Sequence, residues 1–264
     1  MSDPMRVHDD LCEESAQLDF LVAELSEEEW GRATPAPRWD IAHQIAHLHW
    51  TDHAALLALT DEDGFRGVVE KALAAPGSFV DEAAEEGARL PPAELLARWR
   101  QERAALDTAL RAAPGGSRFP WFGPPMSAAS MATGRLMETW AHGQDVADAL
   151  GVVRAPTDRL CHVVRIGVRA RDFAFGARGL PVPEEEFRIE VRAPSGELWA
   201  FGPEDARQRV TGPALDFCLL VTQRAHRADL GVRAEGPDAN RWLDIAQAFA
   251  GPPGTGRPPK DTGR

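Results

Sequence analysis

The segment Arg135-Leu136-Met137-Glu138-Thr139-Trp140-Ala141-His142-Gly143-Gln144-Asp145 decides how the rest of the chain is read. On a helix, residues three and four apart share a face. Arg135, Glu138, His142 and Asp145 then form one polar stripe, with Leu136, Trp140 and Ala147 opposite. Glu138 and His142, one turn apart, can place a carboxylate oxygen and an imidazole nitrogen on a single metal ion. Upstream, Trp39-Asp40-Ile41-Ala42-His43-Gln44-Ile45-Ala46-His47-Leu48-His49-Trp50 reads as a second helix that can supply a further histidine. Two His and one Glu, with a position left for water or substrate, make a catalytic type of zinc set. The competing reading of the stripe is an ion-pair ladder on a solvated face.

The histidine-rich helix does not name its own ligand. Ile41, Ile45, Leu48, Leu56 and Leu59 mark its apolar stripe. His43 and His47 lie one turn apart, and His49 and His53 form another pair on roughly the opposite side from His47. Periodicity leaves all four available, as ligands or as solvated and core-edge residues. On the later helix, Asp145 can accept the spare N–H of His142 and fix its tautomer. Arg135 can pair with Glu138 or hold a substrate carboxylate.

Outward from these two runs, residues 1–150 read as nearly all helix. One helix is expected over about 5–24, and Ser26-Glu27-Glu28-Glu29 carries the cap and first turn of a short one. The histidine-rich helix runs from near Asp40 to Leu59, followed by helices over 61–74 and 78–88. Pro91-Pro92 opens another to about Ala113. A loop holding Trp121 and Phe122 precedes the striped helix, Ser127 to Leu150. The pattern changes after Gly151. A helix is expected over 156–174. Strands follow at Phe187–Val191, Leu198–Phe201, Arg207–Val210 and Leu230–Arg233, with helices over 213–225 and 240–249. The expectation is α+β: a four-helix bundle over 1–150, a small α+β domain over 151–251, and a disordered Pro/Gly-rich tail over 252–264.

Composition excludes some partners. The chain has 264 residues, 44% hydrophobic, and a formal charge of −12. Such an acidic chain without a basic run is a poor ligand for nucleic acid or an anionic membrane. No apolar run approaches a membrane span, and the first residues lack the build of a signal peptide. Cys12, Cys161 and Cys218 are few and far apart, which predicts a reducing cytoplasm, and each reads as a small core residue before a nucleophile.

The Trp39…His47-Leu48 helix and the Arg135-x-x-Glu138-x-x-x-His142-x-x-Asp145 helix resemble the metal-binding domain of mycothiol-dependent maleylpyruvate isomerases, within the DinB-like four-helix superfamily. Met126-Ser127-Ala128-Ala129 is similar to an actinobacterial branch of these metal-binding proteins. The resemblance covers about residues 5–150 and extends more weakly over 151–250. It implies zinc, or another divalent metal, held by His47, Glu138 and His142, with His43 in reserve. It also implies chemistry of a low-molecular-weight thiol such as mycothiol on a small electrophilic substrate, in an isomerase or S-transferase. Leu220-Val221-Thr222-Gln223-Arg224 resembles the family's segment that turns an arginine toward the metal. That would make Arg224 a binder of thiol-cofactor or substrate carboxylates, and Arg135 a second catalytic arginine. Some relatives of the C-terminal domain carry a label tied to wybutosine formation in tRNA. The acidic balance and the absence of an iron–sulfur cysteine pattern argue against that role.

Other readings stay open. Zinc-bound water attacking an amide or ester is one, with His43 or Asp145 as base, although the sequence shows no oxyanion donor. A non-catalytic module is another, its metal closed off by a fourth protein ligand such as His43. A scaffold would hold no stoichiometric metal.

Overall fold

The structure, a computed structural model, describes residues 4–260. They form two units, Met1–Val153 and Arg154–Arg264. The first is helical: α1 (Pro4–Val22), α2 (Glu27–Trp30), α3 (Ile41–Thr60), α4 (Glu62–Ala74), α5 (Phe79–Ala88), α6 (Pro92–Ala112) and α7 (Ala128–Leu150). Among these, α1, α3, α6 and α7 form the bundle, and α4 and α5 pack on α3. No helix among the described residues is long and apolar enough to cross a membrane.

Local chemistry sets the helix ends. The side chain of Ser26 accepts from Glu29 N while Glu29 accepts from Ser26 N, a reciprocal cap on α2. Asp40 accepts from His43 N at the start of α3, and Ser127 from Ser130 N at the start of α7. Pro92 occupies the first turn of α6, where its missing N–H costs nothing. Gly151 ends α7 at φ 71°, a left-handed position that favours glycine.

The bundle core is Leu18, Val22, Trp30, Ile41, Ile45, Leu48, Leu95, Leu96, Trp99 and Val146. Burying a side chain of this size is worth about 1.5–3 kcal/mol relative to leaving it in water. Asp19 of α1 ties to α6 through Arg100, at 2.6 Å, and Arg103. Gly87 lets α5 approach α3 closely, since a Cβ there would lie 2.7 Å from that of Ala46. These contacts fix the rotation of α3, and with it the direction of its histidines.

The second unit carries α8 (Leu160–Arg169), α9 (Arg171–Ala177), β1 (Phe187–Arg192), β2 (Leu198–Phe201), β3 (Gln208–Pro213), α10 (Ala214–Val221), β4 (Arg233–Glu235) and α11 (Pro237–Ile245). The sheet order is β2-β1-β3-β4, with β1 and β3 parallel and both outer pairings antiparallel. Phe187, Ile189, Val191 and Val210 point to a core shared with Phe217 and Trp242.

The α+β class holds, with local differences, and the helix expected over 213–225 ends at Val221. The helix expected over 156–174 divides at Ala170, which caps α8 and opens α9. The last strand begins at Arg233 rather than Leu230, because Gly231 N is taken by the Asp216 carboxylate. The last helix starts at Pro237, where Gln208 Oε1 accepts from both Asp238 N and Ala239 N. It ends at Ile245, and Ala248 N then bonds Val221 O. Beyond Gly251, residues to 260 form no helix or strand, and Gly254 O and Lys260 N bond Arg178 and Asp229. Residues 261–264 lie outside the described residues. Of the cysteines, Cys218 is buried as expected, whereas Cys12 is exposed and Cys161 half-buried.

Candidate metal centre

Helices α3 and α7 pack against each other and exchange polar side chains in three tiers. Gln44 meets His142, His47 meets Glu138, and Asp52 meets Arg135. The numbers rise on one helix as they fall on the other, as antiparallel packing requires. The stripe is therefore no solvated ladder: Arg135, His142 and Asp145 are buried. Glu138 keeps 24% of its side chain exposed, which gives the middle tier its opening.

In that tier, His142 Nε2 lies 3.1 Å and His47 Nε2 3.6 Å from Glu138 Oε2. One donor atom from each of the three residues falls within 4.8 Å of the others. A short relay sets the His142 tautomer. Thr34 Oγ1 donates to Trp39 O at 2.7 Å, so the same oxygen accepts from Gln44 Nε2 at 2.9 Å. That orients the Gln44 amide, whose Oε1 sits 2.5 Å from His142 Nδ1. An amide oxygen only accepts, so Nδ1 carries the proton and the Nε2 lone pair faces Glu138. A lone pair and a carboxylate at 3.1 Å need a proton or a cation between them. Two imidazole nitrogens and one carboxylate oxygen, all electron-pair donors, are a set that fits a divalent metal.

Electrostatics agree. Burial pushes the Glu138 carboxyl up, but positive charge on the facing His142 and His47 rings, which donate to it when protonated, outweighs this and holds it well below the usual carboxylate range, as a cation seated there would. The charged form is the one a metal requires. His47 has no relay of its own, and its Nδ1 is buried without a hydrogen bond among the described residues.

The remaining candidates lie elsewhere. Both nitrogens of His43 are engaged, Nδ1 with Asp40 at 2.6 Å and Nε2 with Glu85 at 3.0 Å. His53 pairs with Glu102 at 2.7 Å. Gln44, from the other helix, supplies an acceptor to His142 that the one-turn spacing did not point to. Arg135 faces Asp52 rather than Glu138, its Nε donating at 2.8 Å, and Trp99 Nε1 donates to the other Asp52 oxygen at 3.2 Å. Arg224 lies in the second unit, just past α10, where its Nη1 donates to Thr222 O. Gln44, Thr34 and Asp52 escaped the sequence reading. The only local sign of Gln44 was a polar residue inside an apolar run.

Aromatic rings flank the triad. Trp39 stacks on His142 at 5.9 Å between centroids and tilts on His47 at 5.3 Å. Trp50 lies 6.1 Å from His47.

Residues 11–147 match the family described as the mycothiol maleylpyruvate isomerase N-terminal domain. Residues 183–233, which span β1 to the start of β4, match the family described as wyosine base formation. Two uncharacterized proteins of Mycobacterium tuberculosis, from strains CDC 1551 / Oshkosh and ATCC 25618 / H37Rv, are each 58% identical over 257 residues. Each alignment covers 97% of this chain and 100% of the relative. The crystal structure of the mycothiol-dependent maleylpyruvate isomerase superposes with a TM-score of 0.59 at 18% identity, covering 90% of this chain and 96% of that one. A histidine-to-alanine mutant of that enzyme gives 0.60 at 17% identity over the same shares. At these identities the likeness shows a shared fold.

Proposed function

This chain belongs to the mycothiol maleylpyruvate isomerase N-terminal domain family, and from that premise we propose that it is a thiol-dependent isomerase or S-transferase. It would hold one divalent ion, zinc, on His47, Glu138 and His142. Zinc held there would supply the chemistry of a lowered thiol pKa, giving a thiolate for addition to a small electrophile. The observation that carries this reading is the convergence of His142 Nε2, on a ring whose Nδ1 meets Gln44 Oε1, with His47 on the Glu138 carboxylate.

The protein's own groups have defined parts. Gln44 and Thr34 hold the His142 ring and its tautomer. Asp52 locks Arg135, three residues before Glu138, and so holds the α7 face that carries the carboxylate. This makes Arg135 a positioning residue for the centre. Arg224 is proposed to bind the carboxylate of the thiol cofactor or substrate, on the family resemblance of its segment. With His43 engaged by Asp40 and Glu85, the three-donor set keeps room for an exogenous thiol.

Metal analysis and cobalt substitution test this. Protein purified without added metal should contain about one equivalent of a divalent ion. Mycothiol should add a sulfur-to-cobalt charge-transfer band that its S-methyl derivative does not. Metal below a tenth of an equivalent with no binding on titration would sink the metal. A cobalt spectrum indifferent to millimolar thiol would sink the thiol.

A further inference from the structure

The rings beside the triad continue outward. Trp50 meets Phe79 edge-on at 5.0 Å and Phe122 at 6.1 Å. Phe122 and Trp121 sit on Phe65, at 5.3 and 5.9 Å. The row has the anatomy of a binding wall. Its base, Phe65, is buried, whereas Trp39, Trp50, Phe79 and Trp121 are half-buried and Phe122 is 41% exposed. Core aromatics of this chain, such as Trp99, are fully buried. The loop carrying Phe122 is closed at its neck by the Phe119–Met126 bridge, which holds the exposed ring in place. Trp39 is likewise anchored, its Nε1 donating to Asp81 at 3.1 Å.

Asp40, Asp81 and Glu85 line the Trp39–His43 side, and the nearby guanidinium of Arg38 is bound to Asp81 at 2.5 Å. These carboxylates are paired, with Arg38, His43 and Arg89, and it is the indole and phenyl faces that reward a flat apolar substrate end.

We propose that the substrate of this centre carries an aryl or comparably flat apolar group, seated on Trp50 and Phe122 with its reactive end toward His47, Glu138 and His142. This deepens the metal reading of the same site and depends on it only for where the reactive end lies.

Two arms test it on the intact chain. The first uses metal-free, 15N-labelled protein, with the indole N–H signals of Trp39 and Trp50 assigned through Trp39→Phe and Trp50→Phe. Benzamide should shift the Trp50 signal, and acetamide at equal concentration should not. Phe122→Ser should weaken the benzamide response about fivefold or more, as expected for one lost aromatic contact. Equal responses to the two amides, or none to either, overturn the proposal whatever the metal does. The second arm uses zinc-loaded protein. Benzohydroxamate should bind at least about tenfold better than acetohydroxamate, after correction for their affinities for free zinc. Phe122→Ser and the milder Phe122→Leu should reduce that ratio, with zinc content and circular dichroism confirming the fold. A ratio near one with zinc bound overturns the proposal and leaves the metal reading standing. A benzamide response in a protein that takes up no zinc overturns the metal reading and leaves the aromatic wall standing.

Discussion

Gln44→Leu should weaken zinc binding by about 10–100-fold, the usual cost of losing an outer partner of a ligating histidine, or about 1.4–2.7 kcal/mol. Gln44 is fully buried, and leucine nearly matches its volume, so packing changes little. Two hydrogen bonds go: the one Gln44 accepts from His142 Nδ1 and the one it donates to Thr34. In the metal-free variant the imidazole can move its proton to Nε2 and donate to Glu138, 3.1 Å away. That tautomer satisfies the ring and removes the lone pair the metal needs. Zinc must then reverse it without the acceptor that Gln44 supplied. Gln44→Glu keeps an acceptor at the same place and should retain most of the affinity. Competition against a chromophoric chelator reads the constants, and 15N shifts of the His142 ring report the tautomer. A Leu variant that binds zinc within about threefold of the parent, with its Nδ1 proton in place, would refute the relay argument.

Ala at His47, Glu138 or His142 should each abolish tight zinc binding, while His43→Ala, His49→Ala and His53→Ala should keep it. The same variants should lose the thermal stabilisation that zinc gives the parent, about 4 kcal/mol at a thousandfold excess over Kd. Asp52→Ala strands the buried Arg135 charge and should cost about 3–5 kcal/mol, a fall in Tm of roughly 6–20 °C. The Asp52→Leu, Arg135→Met pair should cost less than Asp52→Ala alone, and a larger loss in the double variant would contradict the ion-pair account. The last prediction concerns pH. Burial lowers the His43 pKa, but the carboxylates of Glu85 and Asp40 outweigh this and hold it above the ordinary value near 6.5. Its contribution is therefore complete below about pH 6.5 and lost as pH rises through the folded-state value. Urea titrations across that window should show the slope, and Glu85→Gln should flatten it.

The sequence by itself determined the helices of the first unit, their ends to within a residue or two, and the chemistry on offer. Ser26, Asp40, Pro92, Ser127 and Gly151 act on neighbours within a turn, so their effects are readable from spacing. So is the pairing of Glu138 with His142, since one helix carries both. It also supplied every residue of the triad through family resemblance, although periodicity alone left four histidines in contention. Tertiary structure decided which of those four meets the α7 pair. His43 is one turn from His47, but its nitrogens are claimed by Asp40 and by Glu85, 42 residues away on α5. Gln44 at His142 Nδ1, Asp52 in place of Glu138 as the partner of Arg135, and the approach of Phe122 to Trp50 were settled in the same way. The β4 register depended on Asp216 capturing Gly231 N. The physical reason is common to all of them. A helix's period says which residues share a face. The partner that face meets is set by the rotation and depth at which helices pack, and these come from side chains far away in the chain.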